Sequence, residues 1–210
     1  MAVNYQHILD ETISALENTP TLLLHSCCAP CSSYVLEYLS AYFKITVLFY
    51  NPNISSQDEY IKRAEELKRL ISLMKFKNPV KAEIMPYNPN DFSEIAKARE
   101  FDREGGDSCF KCYELRLKEA AKQAKEKGYD YFTTTLSISP LKNSQKLNEI
   151  GKALSDKFGV NYLFSDFKKK GGFKRSCALS EQYSLYRQNY CGCAFSKKEA
   201  ELREKTSAEL

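Results

Sequence analysis

The sequence has no tryptophan, only two histidines and no long apolar run. Because a membrane-spanning helix needs about 20 mostly apolar residues, we expect no transmembrane segment and no membrane partner. The first residues lack the basic-then-apolar order of a secretory signal, which predicts a cytoplasmic protein in a reducing compartment. Internal repeats and low-complexity linkers are also missing. A chain of 210 residues, 43% apolar and 28% charged, is typical of one soluble domain, here 1–210.

Eight cysteines are the most informative residues of the chain. In a reducing compartment they are metal ligands or redox thiols more often than structural disulfides. Cys27 and Cys28 are adjacent at the end of an apolar run, and Cys109 and Cys112 form a C-x-x-C pair much later. Two pairs of thiolates brought together by a fold can hold an iron–sulfur cluster or a zinc ion.

The spacing of these pairs favours iron and sulfur over zinc. Structural zinc sites usually use two C-x-x-C turns, whereas one pair here is vicinal. A cube of four irons accepts irregular spacing, so we predict a [4Fe–4S] cluster on Cys27, Cys28, Cys109 and Cys112. Cys31 then lies close by, available for a second metal or for substrate.

Cys28 and Cys31 also suggest a different function. A C-x-P-C segment after a strand and at a helix start is typical of a thioredoxin-type dithiol, and a helix N-terminus lowers a thiol pKa. The extra thiol of Cys27 and the second pair at Cys109 and Cys112 have no role in such an enzyme. A dithiol oxidoreductase therefore stays an alternative.

Cys191, Gly192 and Cys193 form a third cysteine motif. A disulfide between residues two apart closes a small strained ring, and strained disulfides are labile and catalytic. Gly192 permits the tight backbone. Two further ligands or two free thiols are the alternative. Cys177 has no obvious partner and is expected to be a small buried hydrophobe.

Hydrophobic periodicity predicts the fold. Helices alternate with short apolar strands, which indicates an α/β protein with a doubly wound, mostly parallel sheet. An N-terminal helix (1–19) precedes the core (about 20–196), which ends in a helical, cysteine-containing extension and a charged tail (197–210). Ligands of such sheets bind beyond the carboxyl ends of the strands. The predicted strands are residues 21–26, 44–50, 80–86, 129–135 and 160–164.

One segment is strongly basic and contains two glycines. Such a segment can bind a phosphate backbone, or it can be an ordinary solvated loop. Its cations are Lys168, Lys169, Lys170, Lys174 and Arg175.

Several of these motifs, in order, resemble the QueH-type epoxyqueuosine reductases, a cobalamin-independent family that completes queuosine synthesis in tRNA. The likeness runs from about residue 20 to about residue 196. It rests on LLHSCCAPCS (23–32), FYNPNI (49–54), CFKCY (109–113), TTTL (133–136), GGF (171–173) and YCGC (190–193).

The resemblance implies a fold similar to the adenine-nucleotide α-hydrolase (HUP) group. It also implies that Cys27, Cys28, Cys109 and Cys112 hold the [4Fe–4S] cluster and that Cys191 and Cys193 form a redox-active disulfide. Cys31 replaces an aspartate of related members and would bind a second iron through sulfur. The implied substrate is tRNA with epoxyqueuosine in its anticodon loop, and the electron donor is unidentified.

Three other functions compete with this prediction. A zinc-stabilised RNA-binding protein would use the same cysteines without catalysis, and a dithiol oxidoreductase would not need Cys109. An ATP-using enzyme of the same fold group is disfavoured because Cys27-Cys28-Ala29-Pro30 replaces the glycine-rich phosphate loop. The proton donor is not identified; His25, Tyr113 and Asp107 lie near ligands, and His25 is expected to be structural.

Overall fold

Five short strands form one parallel sheet in the computed structural model, which describes residues 3–99, 102 and 104–208. The strand order is β3-β2-β1-β4-β5, and every neighbouring pair is parallel. The predicted doubly wound sheet is thus confirmed. The strands are β1 (Thr21–Ser26), β2 (Lys44–Phe49), β3 (Val80–Ile84), β4 (Tyr131–Thr134) and β5 (Asn161–Tyr162).

Helices connect and cover these strands. None of the described helices is long and apolar enough to cross a membrane. Single-turn 3₁₀ helices occupy Pro89–Phe92 and Thr135–Ile138. The α-helices are α1 (Tyr5–Ser14), α2 (Ala29–Leu39), α3 (Gln57–Leu73), α4 (Ser93–Arg99), α5 (Asp107–Lys127), α6 (Ser144–Phe158), α7 (Gly172–Gln182) and α8 (Ala194–Ala208).

The central strand β1 is buried on both faces, as its run of three leucines predicts. Leu22 and Leu24 point into a core formed with α1, α2 and α3, while Leu23 points into a second core formed with α5 and α6. All three leucines are fully buried, and each contributes roughly 2 kcal/mol by leaving water. Helices on both faces are what makes all-parallel pairing stable.

Strand ends differ from the prediction by a few residues. β2 ends at Phe49, one residue early, and β3 ends at Ile84, two residues early. β4 stops at Thr134 because that side chain accepts a hydrogen bond from Leu136 N and starts a 3₁₀ turn. β5 has two residues and pairs with β4 at the edge of the sheet.

The order of the strands fixes where a ligand can bind. The chain passes from β1 to β2 and β3 on one side of the sheet, and β4 and β5 lie on the other. The switch point is therefore between β1 and β4, where crossovers diverge and leave a crevice beyond the strand ends. Cys27 directly follows β1, and Thr135 directly follows β4.

Candidate metal centre and adjoining cavity

Three cysteine sulfurs meet where β1 passes into α2. Cys27 follows the strand, Cys28 is the extended N-cap residue of α2, and Cys31 lies in the first turn of that helix. Their Sγ atoms all lie within 4.8 Å of one another, and those of Cys27 and Cys28 are 3.8 Å apart. A tetrahedron with 2.3 Å metal–sulfur bonds has edges of about 3.8 Å, so this spacing suits thiolate ligands of one metal.

The helix N-terminus and the neighbouring thiols decide which sulfur is ionised. Cys27 and Cys31 donate to Cys28 and hold the pKa of that thiol well below its usual range, with help from Arg63. Donation to Cys28 raises the pKa of Cys27 to about 11, and the pKa of Cys31 is raised by the same two neighbours. The positive end of α2 also favours negative charge here.

A second group of cysteines gathers around the start of α5. Cys109 and Cys112 lie one turn apart on that helix, and Cys112 is buried against Cys193 and Phe92. Burial raises the pKa of Cys112 to about 11. Cys191 completes the group, since all four cysteines border one small cavity of about 20 Å³.

Cys191 links the two groups. It also lines a larger cavity of about 430 Å³ whose wall includes Cys27, Cys28 and Cys31. The larger cavity opens at the switch point of the sheet, with Phe173 and Tyr190 among its walls. Cysteines far apart in sequence thus line two cavities that share Cys191. That Cys27, Cys28, Cys109 and Cys112 hold one cluster stays a prediction.

The turn that carries Cys191 and Cys193 is tied to the rest of the site by its backbone. Gly192 has a φ of +130°, its carbonyl accepts from Ser55 N at 3.0 Å, and the carbonyl of Cys191 accepts from Arg63 Nη1 at 3.1 Å. Cys191 and Cys193 are both free thiols in this structure. The disulfide between them stays a prediction.

Three buried cations surround the cysteines, and sequence reasoning missed all of them. Arg63 and Arg116 are each 1% exposed, and Lys142 is 7% exposed. Arg63 and Arg116 occupy positions in the apolar stripes of α3 and α5, three residues after Tyr60 and Tyr113, and this break in the pattern is a signal that was available. Lys142 lies in a loop, and no pattern marks it.

Electrostatics couples these cations to the thiols. Burial acts to lower the pKa of Arg116, but electrostatic interaction with the side chains of Cys112, Cys191 and Cys27 outweighs it and raises that pKa. Burial also acts to lower the pKa of Lys142, but electrostatic interaction with Cys191 and other groups outweighs it and raises that pKa. One guanidinium therefore lies within electrostatic reach of cysteines from both groups.

The residues present fit an anionic metal–thiolate group. Arg116 Nη1 and Nη2 and Arg63 Nη2 are buried and have no hydrogen-bond partner among the described residues. Buried donors without partners cost about 1–3 kcal/mol each, and more when they are charged. Thiolates and sulfide are the anionic acceptors that the donor set of this site would supply once a metal is bound.

Comparison with known proteins identifies the family of the chain. Residues 22–199 match the model of the family described as epoxyqueuosine reductase QueH. The chain belongs to the QueH family. It is 41% identical to an epoxyqueuosine reductase QueH of Staphylococcus aureus over 201 residues, which are 92% of this chain and 84% of that protein. A relative of the same name from Thermotoga maritima is 34% identical over 199 residues, covering 88% and 97% of the two chains.

The QueH match includes seven cysteines of the two groups and their surroundings, from Cys27 to Cys193. A third relative, epoxyqueuosine reductase QueH of Streptococcus pyogenes, is 41% identical over 93% of this chain. The resemblance inferred from short motifs thus extends over most of the sequence.

His25, near the end of β1, is a structural residue in this fold. Its Nε2 lies 3.1 Å from the Tyr50 carbonyl, which can only accept, so Nε2 carries the proton. Nδ1 then accepts from the Thr134 hydroxyl at 2.8 Å. Burial, and next the charge of Arg116, lower the pKa of His25 to about 3. With its only proton engaged, His25 is not placed to be the general acid.

The basic segment of this QueH chain forms a turn followed by the first turn of α7, not an open loop. Lys168 binds Asp166 at 2.9 Å, Lys170 binds Asp10 at 2.6 Å, and Arg175 binds Glu37 at 2.6 Å. Among the described residues, Lys169 and Lys174 have no acidic partner, and both are exposed. They are the members of the predicted set whose charge is least compensated.

Proposed function

We propose that the chain is an epoxyqueuosine reductase that acts on tRNA in the cytoplasm. Epoxyqueuosine carries an epoxide on a cyclopentane ring attached to the wobble base. Conversion to the alkene of queuosine removes the oxygen as water and consumes two electrons and two protons. The observation that carries the proposal is the QueH match over residues 22–199 together with the cysteines that border the cavity at the switch point.

The cofactor we propose is a [4Fe–4S] cluster held by Cys27, Cys28, Cys109 and Cys112. The orphaned nitrogens of Arg116 support an anionic group at this place. Each thiolate of a cube binds a different iron, so the two cysteine pairs need not approach as closely as ligands of a single ion. The Sγ atoms of Cys27 and Cys28, 3.8 Å apart here, must move apart to bind two irons. When bound, the cluster supplies electrons one at a time and an iron that polarises the epoxide oxygen. Cys31 is left for a second iron, and no cobalamin is needed.

Cys191 and Cys193 are proposed as the redox pair of the reaction. Two thiols that form a disulfide release two electrons and two protons, which is the number that removal of the epoxide oxygen consumes. Cys191 borders both the small cavity and the 430 Å³ cavity, so it adjoins the ligand group and the substrate space. An external electron donor then restores the thiols.

The 430 Å³ cavity is proposed to receive the modified base after it leaves the anticodon loop. Phe173 and Tyr190 line it and offer ring faces for stacking, and Arg187 lies 5.5 Å from the Phe173 ring. The exposed Lys169 and Lys174 flank Phe173 in sequence and are suited to phosphates of the loop.

The direct test uses anaerobically purified, reduced protein and tRNA that contains epoxyqueuosine. We expect mass spectrometry of the digested nucleosides to show loss of one oxygen and formation of queuosine. Protein that contains iron and sulfide in stoichiometric amounts but leaves epoxyqueuosine unchanged would contradict the proposal.

Cysteine variants distinguish the proposed iron–sulfur reductase from a simple dithiol exchanger. Cys109→Ala should abolish both cluster and activity, because Cys109 is a ligand in the proposal and has no role in an exchanger. Cys177→Ala is the matched control, since Cys177 lies in α7 and is not among the residues that line the two cavities. Full activity of Cys109→Ala would favour the exchanger.

The zinc-stabilised RNA-binding protein is distinguished by composition. A cluster gives brown protein with acid-labile sulfide, whereas zinc gives colourless protein without it. The QueH family assignment favours the reductase.

A further inference from the structure

Arg116 is the buried cation of the site that has the fewest partners. It lies one turn after Cys112 on α5, and its side chain is 1% exposed. Nε donates to the Cys112 carbonyl at 3.2 Å, but no described residue accepts from Nη1 or Nη2. A guanidinium stays protonated at every physiological pH, so this is a permanent positive charge.

The nearby described carboxylates are already engaged. Glu59 pairs with Arg63 at 2.7 Å, and Glu104 pairs with Lys142 at 3.4 Å and with Arg203 at 3.9 Å. No carboxylate of the described residues forms an ion pair with Arg116. A buried cation without a counter-charge is strongly destabilising, so the fold must gain an anion elsewhere.

A buried water molecule does not compensate the charge of Arg116. The cavity that Arg116 borders measures about 20 Å³, which is room for about one water molecule, and water brings no charge. The carboxylate that borders the cavity, Glu104, is already paired with Lys142, and four cysteines also line it: Cys109, Cys112, Cys191 and Cys193. Thiolates that carry a metal are the anions available in these walls.

We propose that Arg116 is a positioning residue whose charge and two Nη donors hold the metal–thiolate group of the cysteines. The inference rests on the proposed function and names a residue that controls its cofactor. Removing this charge disfavours the more negative, reduced form of the bound group, so it lowers the reduction potential. It also weakens binding of the metal.

The proposal predicts effects of opposite sign on stability with and without the cofactor. Without metal the uncompensated charge destabilises the fold, so Arg116→Met, which has similar volume and no charge, should raise the thermal midpoint of the metal-free protein. With metal the charge is compensated, so the rise in midpoint on loading should be smaller in the variant than in the wild type. A purely structural role would lower both midpoints together.

The reduction potential is the second measurement, made by spectroscopic titration of the anaerobically loaded proteins. At a fixed applied potential, Arg116→Met should lower the ratio of reduced to oxidised protein at least tenfold. For one electron, this corresponds to a reduction potential lower by about 59 mV. Arg116→Lys keeps the charge and should recover most of the shift. Lys118→Gln removes a charge from the exposed face of the same helix and should change neither quantity, because water screens it.

The outcomes distinguish this inference from the proposed function. If the wild-type protein binds the cluster and Arg116→Met has the same reduction potential, metal content and stability, the inference about Arg116 is overturned and the reductase proposal is not. A wild-type protein that holds zinc and no sulfide overturns the reductase proposal. The inference is then decided by zinc affinity, where a loss of tenfold or more in Arg116→Met supports it and an unchanged affinity overturns it.

Discussion

At the scale of single residues, Gly192 determines the turn that holds the two thiols of the proposed redox pair. A Cβ at this position would lie 3.1 Å from Ile54 Cγ1 and 3.2 Å from Arg63 Nη1, at a φ of +130°. Any side chain is therefore both strained and crowded. Both neighbours are buried, which leaves them little room to move.

We expect Gly192→Ala to lower the free energy of unfolding by about 1–3 kcal/mol. It should also reduce epoxyqueuosine turnover by about 100-fold, because reacting groups displaced by an ångström lose that much. Gly128→Ala is the control: Gly128 has a φ of +70° at the end of α5 and open space around it. It should cost roughly 1 kcal/mol and keep activity. Equal turnover in both variants would contradict this role of Gly192.

His25 gives the clearest pH prediction at this scale. Its folded-state pKa of about 3 lies below the unfolded value of about 6.5, so the unfolded chain binds more protons between these pH values. Stability should therefore fall as the pH drops from 6.5 toward 3, by at most about 1.4 kcal/mol per pH unit from this group. Above pH 6.5 it contributes no pH dependence.

Nitrogen NMR of the His25 ring in metal-free protein tests this assignment. The ring should keep the Nε2–H tautomer, with Nδ1 unprotonated, down to pH 5. A ring that becomes doubly protonated near pH 6.5 would refute the structural role and restore His25 as a proton donor.

At the scale of elements, one face of α3 holds the segment that leads to Cys191. Arg69 donates to the carbonyls of Tyr183 and Ser184 at 3.0 Å, and Glu66 accepts from Tyr186 N at 2.7 Å. These contacts lie at helical spacing, so a single helix sets the path of the segment. They are polar and partly exposed, which makes the segment easier to open than the sheet.

Glu66→Gln should loosen this segment without unfolding the sheet. It removes the charge that pairs with Arg69 at 2.7 Å, and we expect a cost of about 0.5–2 kcal/mol. Hydrogen exchange of residues 183–193 should become faster while that of β1 and β4 is unchanged. Glu65→Gln is the control, because the ion pair of Glu65 with Lys68 is exposed. Equal exchange in the two variants would show that α3 does not hold the segment.

The elements themselves were largely predictable. Apolar runs and helical spacing located all five strands and most of the helices, because burial of β1 on both faces requires such a pattern. The helices α4 and α7 were not predicted. Strand ends were not predictable to the residue, since β4 stops where a Thr134 hydroxyl captures a backbone N–H. Residue type and spacing singled out the cysteines of both groups, but not which of them lie together. Arg63 and Arg116 were missed because single charges in a helix usually face water.

At the scale of the whole molecule, the positive charge that is free to meet tRNA is smaller than the sequence suggests. Ion pairs with Asp166, Asp10 and Glu37 engage three of the five basic residues between 168 and 175. Lys169 and Lys174 remain, near the Phe173 wall of the cavity. Recognition of tRNA should therefore depend on these two more than on their neighbours.

Lys169→Ala with Lys174→Ala should weaken tRNA binding and reduce its salt dependence by roughly 1.4 in the slope of log K against log salt, for two lost phosphate contacts. Lys118→Ala with Lys125→Ala, on the exposed face of α5, is the control with equal charge loss. Binding measured from low to high salt decides between them. The same slope in both double variants would show that the tRNA interface lies elsewhere on the protein.

The central claim concerns the whole fold: cysteines from the end of β1 and from the start of α5 hold one iron–sulfur cluster. Anomalous diffraction at the iron edge, from anaerobically grown crystals of the purified protein, tests it most directly. The account predicts a compact group of four irons bonded to Cys27, Cys28, Cys109 and Cys112. A single zinc ion on Cys27, Cys28 and Cys31, or sulfurs bonded to one another in place of metal, would contradict it.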